Sequence, residues 1–211
     1  VQIIRSILMV TATTFMFYSL QKFDLVDIYV VFFTAPLIVS LLSAYFLKDI
    51  LTPKGIALIL LSFGSIVYSL GPSMRIFSPD LIFPIVPPIC WALYQFFTKV
   101  VSGDNDPFAA IFYTSILGAV IFSVFIFFNW VPLEKNIYWL YLTLLGVAGF
   151  VSHSLIIYAI QLSNLSFVTN FQYSQLVWST IINFIIFGVP FDYNKIIGVI
   201  GIIIFGIMFI R

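Results

Sequence analysis

Charged residues are the scarcest part of this sequence. Only 8% of its 211 residues are Asp, Glu, Lys or Arg, and the formal net charge is +1, whereas an average soluble domain is about 25% charged. Hydrophobic residues make up 62% of the chain, and there are too few charged side chains to cover that apolar surface in water. A lipid bilayer is therefore the expected surrounding. The lack of a basic excess argues against nucleic acid as a partner.

Residues that hold metals or perform catalysis are equally rare. The chain has one cysteine, Cys90, and one histidine, His153. One cysteine cannot form an intramolecular disulfide, and one histidine cannot supply the three or four ligands of a zinc site. Glycine-rich phosphate loops and nucleophile elbows are also missing. We therefore expect no catalytic residue, no metal, no cofactor and no enzyme. A membrane enzyme or a structural membrane subunit is the alternative, and the polar cluster that such an enzyme needs is not visible.

Long apolar runs dominate what is present. A helix needs roughly 20 apolar residues to cross a bilayer, and breaks rich in Gly, Pro, Asn, Asp and Lys separate runs of about that length. Every Asp and Glu falls in such a break. The predicted fold class is an all-α integral membrane protein with about eight visible transmembrane helices. Their spans are 3–20, 28–47, 55–70, 81–101, 108–129, 138–160, 167–187 and 194–210.

An internal repeat organises these spans. Residues 18–21 and 158–161 share the pattern Tyr-x-x-Gln, and the same offset of 140 pairs Phe33 with Tyr173. The second copy would hold five spans and the first copy only three, so an intact parent would have about ten. Because five is odd, the two copies would lie inverted in the membrane, which is typical of secondary transporters.

The repeat predicts two units. Residues 1–72 would be the last three spans of the first repeat, and residues 81–211 the complete five-span second repeat. The chain is then expected to be shortened at its N-terminus, and its start at Val1 rather than at methionine agrees with that expectation.

Several segments resemble the EamA family of the drug/metabolite transporter superfamily. Arg5 is similar to the arginine that starts the family's third span, and residues 33–37 resemble its apolar-proline signature in the fourth. The sharpest match is residues 171–178, which resemble a proteobacterial branch often labelled S-adenosylmethionine uptake transporters. In that branch a proline precedes this phrase, and Asn170 stands in its place here.

The resemblance covers essentially the whole chain, without the family's first two spans. It implies a transporter of small metabolites in the bacterial inner membrane. It also implies an orientation in which the cytoplasmic side holds the Val1 end, Arg5, Lys99 and Arg211, and the outside holds Lys22. The charges of the loops give only a weak positive-inside bias, so the resemblance decides the orientation.

Candidate substrate contacts are polar and aromatic residues that share a helical face within an apolar span. Plain helix packing is the alternative for each face. The candidates are Tyr29, Phe33 and Pro36 on span 28–47; Trp91, Tyr94 and Gln95 on span 81–101; His153 on span 138–160; and Gln172, Tyr173 and Gln175 on span 167–187.

The same spans carry some structural expectations. Pro36 should kink its helix in the middle, and the prolines at 84, 87 and 88 should disturb the start of span 81–101. The polar ridge of span 167–187, with Gln175 and Ser179, indicates a helix buried in the bundle. Lys99 should anchor its span at the interface.

His153 lies on one face with Gly146 and Gly149. A hydrogen bond to a neighbouring helix, a place in a cavity wall and a proton-coupling role are the alternatives. The glycines at 198, 201 and 206 predict close helix packing and leave a homodimer contact open.

The sequence thus predicts a secondary transporter that works by alternating access between two inverted halves. Its candidate site has aromatic rings and amides, and no fixed charge apart from that of protonated His153. Such a site suits a neutral or zwitterionic metabolite, or a cation held over aromatic rings. Amino acids, nucleosides and S-adenosylmethionine all satisfy this description. A shortened chain that no longer transports is a further alternative.

Overall fold

A computed structural model gives the fold and describes residues 1–23, 25–47, 52–70, 79–101, 107–128, 130, 132–188 and 193–210. Within these ranges all regular structure is helical. Short 3-10 turns at Pro79–Leu81 and Phe171–Tyr173 precede α5 and α9. The helices are α1 (Gln2–Leu20), α2 (Leu25–Phe32), α3 (Ala35–Phe46), α4 (Pro53–Leu70), α5 (Ile82–Val100), α6 (Pro107–Phe128), α7 (Ile137–Leu162), α8 (Leu165–Asn170), α9 (Ser174–Phe187) and α10 (Tyr193–Ile210).

Each of the eight predicted spans coincides with a helix or with a broken helix. The broken spans are α2 with α3 and α8 with α9. Within the described residues, Gln2–Leu20, Asp27–Phe46, Phe108–Phe128 and Ile137–Leu162 are long and apolar enough to cross a membrane. The protein is therefore an all-α, multi-pass membrane protein, as the sequence predicts.

Asp27 lies within an α-helix, so the prediction that every Asp and Glu falls in a break is wrong for this residue. This residue is in the first turn of α2 and is 8% exposed. The first turn of a helix has unpaired backbone N–H groups and a partial positive charge, and both favour a carboxylate there.

The first broken span parts at Phe33 and Thr34. Pro36 lies in the first turn of α3, where a missing backbone N–H costs no helical hydrogen bond. The hydroxyl of Thr34 donates to the carbonyl oxygen of Val31 at 2.7 Å. The predicted mid-helix kink at Pro36 is therefore wrong in its position, because the helix stops before the proline and the proline begins the next one.

The second broken span parts at the 3-10 turn Phe171–Tyr173. This break forms although Asn170 replaces the proline of the resembling branch. Asn170 is 9% exposed, and its Oδ1 has no hydrogen-bond partner. At the offset of 140, Tyr173 corresponds to Phe33, so both breaks occur at corresponding positions of the predicted repeat units.

α5 shows no break, contrary to prediction, although Pro87 and Pro88 lie inside it. Each proline removes a backbone donor and costs a helical hydrogen bond. Both prolines are buried, and α5 packs against α1, α3 and α2. Neighbouring helices can hold a proline-containing helix together inside a membrane protein, which the sequence of one span does not show.

The helices pack mainly in pairs. α1 lies along α5 and α6, α4 lies along α10, and α3 packs against α5 and α8. α6 and α7 expose most of their apolar side chains. Lipid is as apolar as leucine, so exposed faces of this kind need no protein cover in a bilayer.

Gly201 marks a close approach between α4 and α10. A Cβ atom at this position would lie 2.5 Å from the Oγ of Ser65 and 3.0 Å from its Cβ. The predicted close helix packing is confirmed for Gly201. The residue that it approaches is Ser65 of the same chain, so this contact is not a homodimer contact.

Two lysines connect helix ends. The Nζ of Lys22, after α1, pairs with the Oδ1 of Asp80, before α5, at 2.6 Å. The Nζ of Lys99 donates to the carbonyl oxygens of Ile160 at 2.8 Å and Ser163 at 2.7 Å. A cation is favoured at the C-terminal end of a helix, so Lys99 caps the C-terminal end of α7 instead of serving only as an interfacial anchor.

Candidate functional site

α5 carries the centre of the candidate site. Trp91, Tyr94, Gln95 and Thr98 follow each other at helical spacing and therefore share one face. Tyr94, Gln95 and Thr98 are 1%, 0% and 2% exposed. This polar face lies inside the bundle, as expected for polar groups that lipid cannot satisfy.

Trp91 joins three helices into one aromatic group. Its ring stacks on that of Tyr94, with centroids 5.4 Å apart and planes at 22°. The imidazole of His153, on α7, meets the indole edge-on at 5.8 Å. The ring of Phe32, at the end of α2, lies 6.2 Å away. Stacked and edge-on pairs of this kind are favourable, so they hold the indole in a defined orientation.

Gln172 brings the second helix break to the same group. Its Nε2 donates to the Oε1 of Gln95 at 2.8 Å. Its Oε1 accepts from the indole Nε1 of Trp91 at 3.4 Å. The Nε2 of Gln95 is buried and has no hydrogen-bond partner. An unpaired buried donor is costly, and a polar ligand is one way to satisfy it.

A cavity of about 300 Å³ lies beside this group, between α1, α5, α6 and α7. Tyr94 and His153 are both in its wall, together with Gly146 and Gly149. A Cβ atom added at either glycine would meet nothing within 4 Å, so these glycines widen the cavity rather than admit a neighbouring helix. His153 therefore lies in a cavity wall, which is one of the alternatives that its sequence position left open.

A second aromatic group lies at the two helix breaks. The ring of Phe33 is 6.1 Å from that of Tyr29 and 6.1 Å from that of Tyr173. Phe33 and Tyr173 are 4% and 1% exposed and pack against Ile59 of α4. The hydroxyl of Tyr173 is buried and has no hydrogen-bond partner, so a ligand could engage it.

Two predicted site residues lie outside these groups. Pro36 is buried in the first turn of α3, and Gln175 is exposed one turn after Gln172. Ser179 is exposed as well, and Trp178 is 62% exposed. The expectation that span 167–187 is buried in the bundle is therefore wrong for the face that carries Gln175, Trp178 and Ser179.

Sequence reasoning missed Arg5 as a neighbour of the site, because a charge near the end of a span was assigned to the membrane surface. Arg5 is 0% exposed. Its guanidinium lies over the ring of Tyr94, with Cζ 5.1 Å from the centroid, and its Nε donates to the Oγ1 of Thr98 at 3.0 Å. The available signal was an arginine within an apolar run, which must face protein or water.

Tyr94 and His153 line the cavity, and the indole, the amides and the guanidinium contact these two residues or each other beside it. Sparse polar groups in a mostly apolar pocket are typical of small-molecule binding. Among the described residues, no group of three or more His, Cys, Asp or Glu could hold a metal ion. Reversible binding is the chemistry that these groups support.

Comparison with known proteins agrees with this description. Residues 80–211 match the model of the EamA-like transporter family. Two similar curated proteins, from Rickettsia bellii and Rickettsia conorii, are each named S-adenosylmethionine uptake transporter. They are 25% and 24% identical to this chain, and each alignment covers 96% of this chain and 69% of the relative.

A solved crystal structure of another protein has a similar fold. Its TM-score is 0.79 at 17% sequence identity, and the match covers 94% of this chain and 72% of that chain. This likeness supports the helical architecture.

Proposed function

Because the chain belongs to the EamA-like transporter family, we propose that it is a secondary transporter that carries a small metabolite across a bacterial inner membrane. The family is one of transporters rather than of enzymes. The chain is a multi-pass membrane protein, so the lipid bilayer is its surrounding.

The observation that carries the proposal is the pair of helix breaks. Interrupted helices at corresponding positions of two repeats are the usual place of a transporter's substrate site. Here the breaks are at Phe33–Thr34 and at residues 171–173, and the rings of Phe33 and Tyr173 are 6.1 Å apart. Gln172, in the second break, reaches Trp91 and Gln95.

Alternating access between residues 1–72 and 81–211 is the proposed mechanism. In inverted-repeat transporters the two halves rock around a site near the middle of the membrane. The substrate-contacting residues of the proposal are Tyr29, Phe33, Trp91, Tyr94, Gln95, His153, Gln172 and Tyr173.

The proposed substrate is neutral, zwitterionic or cationic. Trp91 and Tyr94 offer stacked aromatic faces, on which a planar or cationic group can lie, and Gln95 and Gln172 offer amides that can orient it. S-adenosylmethionine has a planar base, a cationic sulfur and an amino-acid end, and it is the substrate in the names of the curated relatives. Amino acids and nucleosides are the other classes that these side chains could hold.

Uptake into proteoliposomes tests the proposal. Purified protein is reconstituted and given radiolabelled S-adenosylmethionine, a mixture of amino acids and adenosine in separate experiments. We expect saturable uptake of at least one class that empty liposomes do not show. If a folded, monodisperse preparation takes up none of the three, the proposed function is wrong.

A further inference from the structure

The guanidinium of Arg5 is a buried cation surrounded by neutral groups. Arg5 is 0% exposed. Its Nε donates to the Oγ1 of Thr98 at 3.0 Å, and its Nη1 donates to the Oε1 of Gln2. In the part of the chain that the structure describes, no carboxylate pairs with it, and the ion pair found there joins Lys22 to Asp80 at the other end of α1. A buried charge without a counter-charge is costly, so this position favours an anionic partner.

Neighbouring donors in this region also lack acceptors. The Nη2 of Arg5 and the Nε2 of Gln2 are both buried and have no hydrogen-bond partner, and these two side chains are already hydrogen-bonded to each other. The unpaired Nε2 of Gln95 lies on the same α5 face as Thr98, the acceptor of the Arg5 Nε. An ionised carboxylate is an acceptor-only group with about four lone-pair sites, so its chemistry matches a cluster of donors around one positive charge.

The cavity lies next to this cluster. Met9, one turn after Arg5 on α1, lines the cavity together with Tyr94. The guanidinium of Arg5 lies over the ring of Tyr94. One turn of helix rises about 5.4 Å. Arg5 and Gln2 are not in the wall of the cavity of about 300 Å³, so a ligand there would reach the guanidinium after a shift of the side chains between them. Because Arg5 is 0% exposed, neither a lipid headgroup nor a ligand in the cavity touches it in this conformation, and the access change of a transport cycle would have to open it.

We infer that Arg5 and Gln2 form a carboxylate-binding subsite of the transport site. This inference rests on the proposed transport function and narrows its substrate class. The substrate is then a metabolite with a carboxylate, such as an amino acid or a molecule with an amino-acid end, rather than a neutral nucleoside. The inference also adds the fixed positive charge of Arg5 to a site for which the sequence predicts aromatic rings and amides.

Paired probes that differ only at the carboxylate test the inference. One pair is S-adenosylmethionine and its decarboxylated analogue, and another is L-methionine and L-methioninamide. Affinities are measured for the full chain in detergent, and uptake is measured in proteoliposomes. The wild type should prefer the carboxylated member by about tenfold to a hundredfold, the usual range for a hydrogen bond to a charged group.

Arg5→Gln should reduce that preference to near equality, mainly by weakening the carboxylated member. Arg5→Lys keeps the charge and should keep part of the preference, since lysine is a point charge without the planar fork. Lys54→Gln is the matched control, because it removes a positive charge from an exposed position on α4. It should leave the preference unchanged.

The outcomes separate this inference from the transport proposal. Equal wild-type affinity for both members of each pair overturns the subsite, and so does an Arg5→Gln variant that keeps the preference. If Arg5→Gln does not fold, the subsite is tested by the preference of the wild type for the carboxylated probes and by the change of that preference in Arg5→Lys. The subsite alone is overturned if adenosine, or decarboxylated S-adenosylmethionine, is taken up as fast as S-adenosylmethionine. Absence of saturable uptake for every probe overturns the transport proposal, and the subsite with it.

Discussion

At the scale of residues, the site depends on polar side chains that an apolar surrounding forces together. Lipid offers no hydrogen bonds, so amide, indole and guanidinium groups must find protein partners or line a cavity. Trp91 shows the result, because its indole is fixed by Tyr94, His153 and Gln172 at once. Removing the indole should therefore disturb the site more than the fold.

Trp91→Ala should weaken the binding of an adenine-containing probe by about 1–3 kcal/mol, the usual contribution of a base stacked on an aromatic ring. Calorimetry with S-adenosylmethionine or adenosine on detergent-purified protein measures the effect. Trp178→Ala is the matched control, because it removes the same side chain from a position that is 62% exposed. Its affinity should equal that of the wild type. A Trp91→Ala variant that binds both probes normally would remove this residue from the site.

At the scale of elements, the broken helices and the α4–α10 pair have different roles. The breaks leave backbone and side-chain groups free of regular helical bonding where Gln172 and Tyr173 meet the rest of the bundle. The α4–α10 pair is close and regular, and Gly201 permits its spacing. A change at the glycine should consequently act on stability through helix spacing.

Gly201→Ala should destabilise the protein by about 1–3 kcal/mol, the usual cost of overpacking. The new methyl group would meet Ser65 at 2.5 Å from Oγ and 3.0 Å from Cβ, and rotating the hydroxyl does not move the Cβ. Thermal unfolding in detergent measures the change. Gly64→Ala, on the same helix as Ser65, is the control, because its added Cβ meets nothing within 4 Å.

Adding Ser65→Gly to Gly201→Ala should recover much of the lost stability, since it removes both of the crowded atoms. If Gly201→Ala melts at the wild-type temperature, the two helices are not as close at this point as the structure indicates.

At the scale of the whole molecule, helix-end contacts constrain the topology. The Lys22–Asp80 pair joins the end of α1 to the start of α5. The bonds from Lys99 to the carbonyl groups of Ile160 and Ser163 join the end of α5 to the end of α7. α7 has 26 residues, which at 1.5 Å per residue is about 39 Å, enough to cross a bilayer. Its two ends therefore belong to opposite faces of the membrane.

Single-cysteine labelling should show these faces. In a Cys90→Ala background, Lys22→Cys and Lys135→Cys should react with an impermeant thiol reagent from outside the cell. Asn164→Cys, just beyond α7, should react only when the cytoplasmic face is accessible. Labelling of all three from one side would contradict the topology, whatever the substrate is.

The sequence by itself determined the class of protein and its spans. Low charge, long apolar runs and turn residues are local properties, and they place helix ends to within a few residues. The phrase at residues 171–178 was also enough to indicate the family that the match over residues 80–211 shows. The face of α5 with Trp91, Tyr94 and Gln95 could be found in the same way, because helical spacing alone puts these residues together.

Only the tertiary structure decided which polar residues meet. The sequence placed Arg5 at the membrane surface, whereas in the structure it is buried against Tyr94 and Thr98 of α5. The sequence treated Gln175 and Gln172 alike, whereas in the structure Gln175 is exposed. α5 stays continuous through Pro87 and Pro88 because of the helices packed around it. The physical reason is common to all three: burial and hydrogen bonding depend on neighbours far away in sequence, and the pattern within one span does not identify those neighbours.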